Sequence, residues 1–210
     1  ITKQNTIMIN QNSYDKQLNN WIDNEKIAAN LLNLIGQLMY DKGIEIVLFR
    51  QNILDVGVTE LMRLVSYAEN VVERKIKLDT ALKLTQEITS MELPPSKLDL
   101  GLLTAEYLEE NTNDHKIFLQ NKLKSIISTK INFLPRDVVL FGFGRIGRLA
   151  ARELIRQAGK GQQMRLRAIV VRNISDDQIE KRANLLNNDS VHGSFKGIVD
   201  VDLEKRMIIV

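Results

Sequence analysis

The chain has 210 residues, 44% apolar and 26% charged, with 29 basic and 26 acidic side chains for a net charge of +3; that balance is ordinary for a soluble globular protein and argues against disorder or membrane insertion. It contains no cysteine, which excludes disulfides, thiolate metal sites and cysteine nucleophiles within these residues. No apolar run approaches the roughly 20 residues needed to span a bilayer, and the first residues lack a secretory signal's basic start, apolar centre and cleavage site. The expected compartment is the cytoplasm, without a membrane partner.

Residues 14–41 carry Leu18, Trp21, Ile22, Ala28, Leu31, Leu32, Ile35, Leu38 and Met39 at three- and four-residue spacing, the mark of a long amphipathic helix. Trp21 is expected as a core anchor. Lys42 supplies a basic C-terminal charge and Gly43 tolerates a left-handed conformation, so the helix should stop there. Residues 44–49 are apolar and rich in β-branched side chains, consistent with a small hairpin. Thr59 precedes a second helical pattern, Leu61, Met62, Leu64, Val65, Ala68 and Val72. Asp79 is positioned to cap a third helix that Pro94 and Pro95 end. Ser96 and Asp99 resemble a capping box ahead of Leu98, Leu102 and Leu103, and Asn113 starts a last helix bearing Ile117, Phe118, Leu123, Ile126 and Ile127.

This count gives five helices, or four if the pair around Pro94-Pro95 packs as one kinked unit. It predicts an all-helical extension over residues 1–130, with an irregular linker at 128–135. Nothing in it has catalytic spacing: His115 stands alone, and Glu106, Glu109 and Glu110 read as a solvated helix end. A segment of this kind, fused ahead of a nucleotide fold, is more often an assembly or regulatory element than a second active site.

From residue 131 the character changes. The charge turns positive, with 14 basic against 9 acidic residues over 131–210. Val138-Val139-Leu140-Phe141 reads as a buried strand, residues 145–157 as a helix, residues 159–163 as a polar loop and residues 166–171 as a second strand. Between strand and helix lie Gly142-Phe143-Gly144-Arg145-Ile146-Gly147. Gly142 permits a tight turn, Gly144 leaves room for a pyrophosphate against the backbone, and Gly147 lets the helix pack closely. The unpaired amides of the helix N-terminus favour phosphate. One β-α-β unit so built is the start of a Rossmann-type dinucleotide-binding domain, and the predicted fold class is α/β behind the helical extension. Arg145, Arg148 and Arg152 share one face of the helix, where a phosphate-bearing ligand or an acidic neighbour would explain them; Arg152 and Arg156 fit a solvated helix face better than a ligand role. A nucleic-acid surface is the less favoured reading of these arginines and predicts affinity that falls steeply with salt. Residues 176–188 read as another helix, broken by Asp189-Ser190-Val191-His192-Gly193, and residues 197–202 and 206–210 as a hairpin. His192 in that turn reads as a hydrogen-bonded structural histidine.

Gly142-Phe143-Gly144-Arg145-Ile146-Gly147-Arg148, with Asp189-Ser190-Val191-His192-Gly193 and then Phe195 and Gly197, resembles the glyceraldehyde-3-phosphate dehydrogenase family over about residues 137–210. Longer bacterial members of the family carry an N-terminal helical extension. The resemblance implies a homotetrameric, phosphorylating NAD(P)-dependent dehydrogenase of glycolysis or gluconeogenesis acting on glyceraldehyde 3-phosphate and phosphate. In such enzymes a cysteine thiolate attacks the aldehyde, a histidine activates it, and hydride passes to the nicotinamide. With no cysteine and no initiator methionine, the chain is expected to be an N-terminal piece that ends before the catalytic motif and is inactive alone; no catalytic residue is assigned in it.

The resemblance places the cofactor on Gly142, Phe143, Gly144, Arg145, Ile146 and Gly147, with the amides of Arg145 and Ile146 toward the pyrophosphate. Two positions depart from the pattern. Phe141 stands where the family usually has Asn. At the ribose end the usual Asn-Asp pair becomes Asn173-Ile174, preceded by Arg172; NAD is the expected cofactor, but the missing acid and Arg172, which could pair with a 2′-phosphate, keep NADP or dual use as the alternative, and Asp176 is a substitute for the ribose contact if the loop shifts. The competing reading from a different class is a non-catalytic NAD(P)-sensing regulatory or assembly module.

Overall fold

The computed structural model describes residues 11–110, 112–128, 134–159, 161 and 163–210. The described chain divides into two compact units, one formed by residues 1–38, 45–93 and 97–129 and the other by residues 39–44, 94–96 and 130–210. The expected linker at 128–135 falls mostly outside the described residues, as do two positions of the polar loop at 159–163.

The first unit is predominantly helical. Its long helix α1 (Gln11–Gln37) is followed by a π-helical turn at Leu38–Lys42, and Gly43, at φ +69°, takes the left-handed conformation expected of it, its amide donating to the Met39 carbonyl at 3.0 Å. The expected small hairpin forms from β1 (Ile44–Leu48) and β2 (Gln51–Asn52), antiparallel. Helices α2 (Val58–Val72) and α3 (Leu78–Ser90) follow. Strand β3 (Ser96–Asp99) then joins the hairpin to make a sheet ordered β2-β1-β3, so the helical extension contains a three-stranded sheet that the helix count did not anticipate. Helices α4 (Leu100–Glu109), α5 (His115–Lys122) and α6 (Lys124–Ile127) complete the unit, giving six α-helices among its described residues against the five expected. The last expected helix is divided at Leu123, whose φ and ψ of −97° and 9° leave the helical region.

Helix α1 packs on α2 and α3, and α3 on α4 and α5. Leu31, Ile35, Leu61, Leu84, Ile88 and Leu119 are fully buried, each at an apolar position of its helix, and burial of such side chains stabilises the fold by about 1.5–3 kcal/mol apiece. Trp21 is not the core anchor its pattern suggests. It is 51% exposed, as Tyr14 and Leu18 also are in large part, because residues 13–21 of α1 are exposed on every face.

Three capping assignments shift. Asp79 lies inside the first turn of α3, and Lys77 is the cap residue, without a side-chain bond. Ser96 is in a strand, and Asp99 itself caps α4 by accepting from the Leu102 amide. Asp114 rather than Asn113 caps α5, accepting from the Ile117 amide at 2.9 Å. A capping side chain must stand immediately outside the helix, as Asp99 and Asp114 do and Asp79 does not, and each helix starts one to three residues away from where composition alone placed the boundary. His115 stacks on Tyr107, ring centroids 4.6 Å apart. Lys122 binds Glu106 at 2.8 Å and Glu110 at 2.7 Å, and Arg74 approaches Glu109 at 3.5 Å, so these acids are paired rather than simply solvated. The two carboxylates hold the Lys122 ammonium pKa above its ordinary value.

The main part of the second unit, residues 130–210, contains the β-α-β element. Strands β4 (Arg136–Phe141) and β5 (Met164–Val170) pair in parallel, from Arg136 opposite Met164 to Phe141 opposite Val170, with α7 (Arg145–Arg156) between them in sequence. The register skips Arg167 between the Val138 and Val139 pairings, and both Arg165 and Arg167 reach Asp137, at 2.8 and 3.4 Å. Leu140, Leu166 and Ile169 face a core of Phe143, Ala151 and Leu186, whereas Val139, Phe141 and Val170 are exposed. This inside-outside division follows the two-residue period of a strand in β4, and in β5 the skipped Arg167 shifts the period by one residue, which puts Leu166 and Ile169 on the same face. Helix α8 (Asp176–Asn187) leads into the short pair β6 (Asn188–Asp189) and β7 (Gly193–Ser194), and β8 (Asp200–Asp202) and β9 (Met207–Ile209) form the expected hairpin.

Candidate functional site

The glycine turn sits at the carboxyl end of β4. Gly142 has φ +94°, a conformation an L side chain rarely adopts, and its amide donates to the Val170 carbonyl at 2.8 Å, tying the turn to the end of β5. A Cβ on Gly147 would lie 2.6 Å from the Gly142 carbonyl oxygen, so only glycine lets α7 approach the turn this closely. Gly144 differs from both. Its φ of −73° and ψ of −169° suit any residue, and a Cβ there would meet nothing within 4 Å. Neither backbone strain nor packing requires glycine at 144; what the missing side chain leaves is clear space in front of the backbone, as a close-approaching ligand requires.

Gly144 is the cap residue of α7 and makes no side-chain bond, and the first amide bonded within the helix is that of Arg148, to the Gly144 carbonyl at 3.0 Å. The amides of Arg145, Ile146 and Gly147 precede it and carry the positive end of the helix dipole. Ile146 is 78% exposed, while Phe143 is 7% exposed and packs into the core. The Phe143 side chain is therefore committed to the fold, and its backbone is what it offers a ligand.

Behind the turn, the arginines of α7 converge on residues 186–195. Arg152 donates to the carbonyls of Leu186 at 2.8 Å and Gly193 at 3.1 Å, and its guanidinium lies 5.9 Å from the centre of the Phe195 ring. This corrects the solvated role expected of Arg152; Arg156 pairs with Glu153 on its own helix. Arg145 Nε and Arg148 Nη2 lie 3.7 and 4.0 Å from Asp189 Oδ2, and Arg145 also donates to Ser190 Oγ at 3.3 Å. The acidic neighbour that would explain the arginine face is Asp189. Its buried carboxylate accepts the amides of His192 at 2.9 Å and Val191 at 3.0 Å and contacts His192 Nδ1 at 3.1 Å. Those amide bonds, then the imidazole and the Arg145 charge, hold the Asp189 carboxyl well below the usual carboxylate range despite its burial. His192 thus has the structural partner expected of it.

Residues 136–210 match the family described as "Glyceraldehyde 3-phosphate dehydrogenase, NAD binding domain". A "Glyceraldehyde-3-phosphate dehydrogenase-like protein" of Pseudomonas aeruginosa (strain UCBPP-PA14) is 33% identical over 184 residues, covering 85% of this chain and 40% of that protein. Residues 136–210 belong to the NAD-binding-domain family of the glyceraldehyde-3-phosphate dehydrogenases. A match of 184 residues is longer than residues 136–210, so the likeness to the Pseudomonas protein takes in much of the helical unit as well. The chain spans about 40% of that relative's length.

The cofactor of this dehydrogenase family's domain is NAD, and the cradle fits a dinucleotide: an open Gly144, helix amides without a side-chain cap, and no acidic residue among the first-turn residues of α7 itself. The two departures from the family's usual residues are both on the surface. Phe141 is 91% exposed at the end of β4. At the end of β5, Arg172 is exposed and has no side-chain partner among the described residues. Asn173 is engaged locally: its side chain accepts from the Ser175 amide at 2.9 Å and its carbonyl accepts from Arg182 at 2.6 Å. That turn delivers the chain into α8, where Asp176 is the first helical residue and is exposed. Among the described residues no cluster of His, Asp or Glu is arranged to hold a metal ion, and no helix is long and apolar enough to cross a membrane.

Proposed function

We propose that this chain is the N-terminal portion of a phosphorylating, NAD(P)-dependent glyceraldehyde-3-phosphate dehydrogenase, with residues 1–130 a separate helical domain and residues 131–210 the start of the cofactor domain. The observation that carries the reading is Gly144, a glycine that neither its dihedral angles nor its neighbours demand, at the N-terminus of a helix with uncapped amides. In this reading the amides of Arg145 and Ile146 receive the pyrophosphate, Gly142 and Gly147 close the turn around it, and the Phe143 backbone completes the cradle. Arg172 and Asn173 stand at the adenosine ribose. Bound NAD supplies the hydride acceptor for aldehyde oxidation; these residues bind and orient it, and the aldehyde-oxidising nucleophile belongs to a part of the protein outside this cysteine-free chain. The complete enzyme acts in the cytoplasm as a homotetramer, with NAD preferred and NADP the alternative.

The test is titration of the complete protein with NAD, together with an assay for oxidation of glyceraldehyde 3-phosphate in the presence of phosphate. Gly144→Val should lower NAD affinity about 100-fold, or roughly 2.8 kcal/mol, because a branched side chain enters the space the phosphates need, while the fold survives. Unchanged affinity would refute the cradle. NAD binding without aldehyde oxidation would favour a sensing module instead.

A further inference from the structure

We infer that Arg148, aimed by Asp189, is a positioning residue of the cofactor site: it fixes the peptide between Phe143 and Gly144 in the orientation that presents the turn's amides to a dinucleotide. The inference rests on the cradle reading above. Two glycines, Gly142 and Gly144, flank Phe143, and glycine imposes little barrier to reorienting the backbone on either side of it. Something must therefore select one orientation of the intervening peptide. Arg148 Nη1 donates to the Phe143 carbonyl at 3.2 Å. In a trans peptide the carbonyl and the following N–H point in opposite directions, and the chain has no cis peptide bond among its described residues. Holding the Phe143 carbonyl toward Arg148 therefore turns the Gly144 N–H away from it.

Asp189 divides its carboxylate between two tasks. Oδ1 accepts the amides of Val191 and His192 and meets the His192 ring, which completes the turn after α8, while Oδ2 is the oxygen nearest Arg145 and Arg148. The Arg148 side chain is 13% exposed, and its Nε is buried with no hydrogen-bond partner among the described residues. An unsatisfied buried donor is unfavourable. An arginine retained under that penalty, with one nitrogen on the glycine turn and another beside the carboxylate, is better explained by the placement of its guanidinium than by its own stabilising bonds. The Asp189-Ser190-Val191-His192-Gly193 segment, which has no place among the cofactor-contacting residues, gains one as the rear support of the cradle.

The experiment compares the complete wild-type protein with Arg148→Met, Asp189→Asn and the double variant, each titrated with NAD well below its unfolding temperature. Hydrogen exchange at the Gly144 amide is followed in parallel. Asp189→Asn keeps the side-chain shape and an oxygen for the Val191 and His192 amides, so it carries the test if Arg148→Met does not fold. Each single variant should bind NAD about tenfold more weakly and exchange the Gly144 amide faster. The double variant should bind no more weakly than the worse single one, because both act on one peptide. Wild-type affinity and exchange in folded variants with lowered unfolding temperatures would make the pair purely structural and overturn the inference. If wild-type protein does not bind NAD, the cradle reading fails and takes this one with it; if wild-type binds, Gly144→Val does not, and both single variants match wild-type, only the positioning role fails.

Discussion

A Cβ placed on Gly147 would stand 2.6 Å from the carbonyl oxygen of Gly142, so the first turn of α7 approaches the turn after β4 more closely than a side chain at 147 would allow. Gly147→Ala replaces a poor helix former with the best one, a gain of at most about 1 kcal/mol. The clash is with a backbone atom that cannot rotate away, and such overpacking costs typically 1–3 kcal/mol. We expect net destabilisation and weaker NAD binding. Thermal unfolding and NAD titration of the complete protein check both; a variant as stable as wild type would show that the helix start can shift without penalty.

Arg172 is the residue on which coenzyme choice is proposed to turn. No acid stands at the expected ribose position to repel a 2′-phosphate, and this arginine is exposed without a side-chain partner among the described residues. If its guanidinium meets a 2′-phosphate, Arg172→Ala should weaken NADP binding by about 1.5–3 kcal/mol, the range for hydrogen bonds to charged groups, and change NAD binding little. Equal loss for both coenzymes, or none for either, would assign Arg172 to structure alone.

Asp189 makes stability depend on acid. Its folded-state pKa is depressed by the Val191 and His192 amides, the imidazole and the Arg145 charge, so its contribution is fully present above the ordinary carboxylate value of about 3.9. It is lost as pH falls from there through the lower folded value, because the unfolded chain takes up the proton first. Unfolding temperatures recorded from pH 7 down to pH 3 should fall more steeply for wild type than for Asp189→Asn. Parallel curves would mean that the carboxylate titrates alike in both states.

In the helical unit, Asp99 ends β3, caps α4 and braces the β1–β2 turn at once. Its carboxylate accepts the amides of Phe49 at 2.9 Å, Arg50 at 3.0 Å and Leu102 at 3.2 Å, and Phe49 and Arg50 both have positive φ, at 45° and 69°. Asp99→Ala should destabilise this unit by about 2–3 kcal/mol, a lost cap together with unsatisfied amides at a strained turn. Denaturant unfolding measures it, and Asp99→Asn should recover part of the loss.

What the sequence determined by itself is local. The first helical run and its stop at Gly43, the β-α-β order, the glycine turn and the final hairpin were all legible because three- and four-residue spacing, two-residue alternation and the conformational freedom of glycine act over a few neighbouring residues. The cofactor family was legible for the same reason, since the turn's motif is contiguous. Tertiary structure decided the rest. Spacing put Arg145, Arg148 and Arg152 on one face of α7, but a face does not name its partner, and Asp189, 41 residues after Arg148, is brought there only by the packing of α8 against α7. Arg152 lost its expected solvation for that reason. Trp21 kept its helical position and was left exposed, because periodicity records which face is apolar and says nothing of whether another element covers it. Asp99 was read as part of a local box, but the turn it braces lies 50 residues earlier in the chain. A carboxylate's partners depend on which strand lies beside it, and strand pairing across that separation is a property of the folded chain.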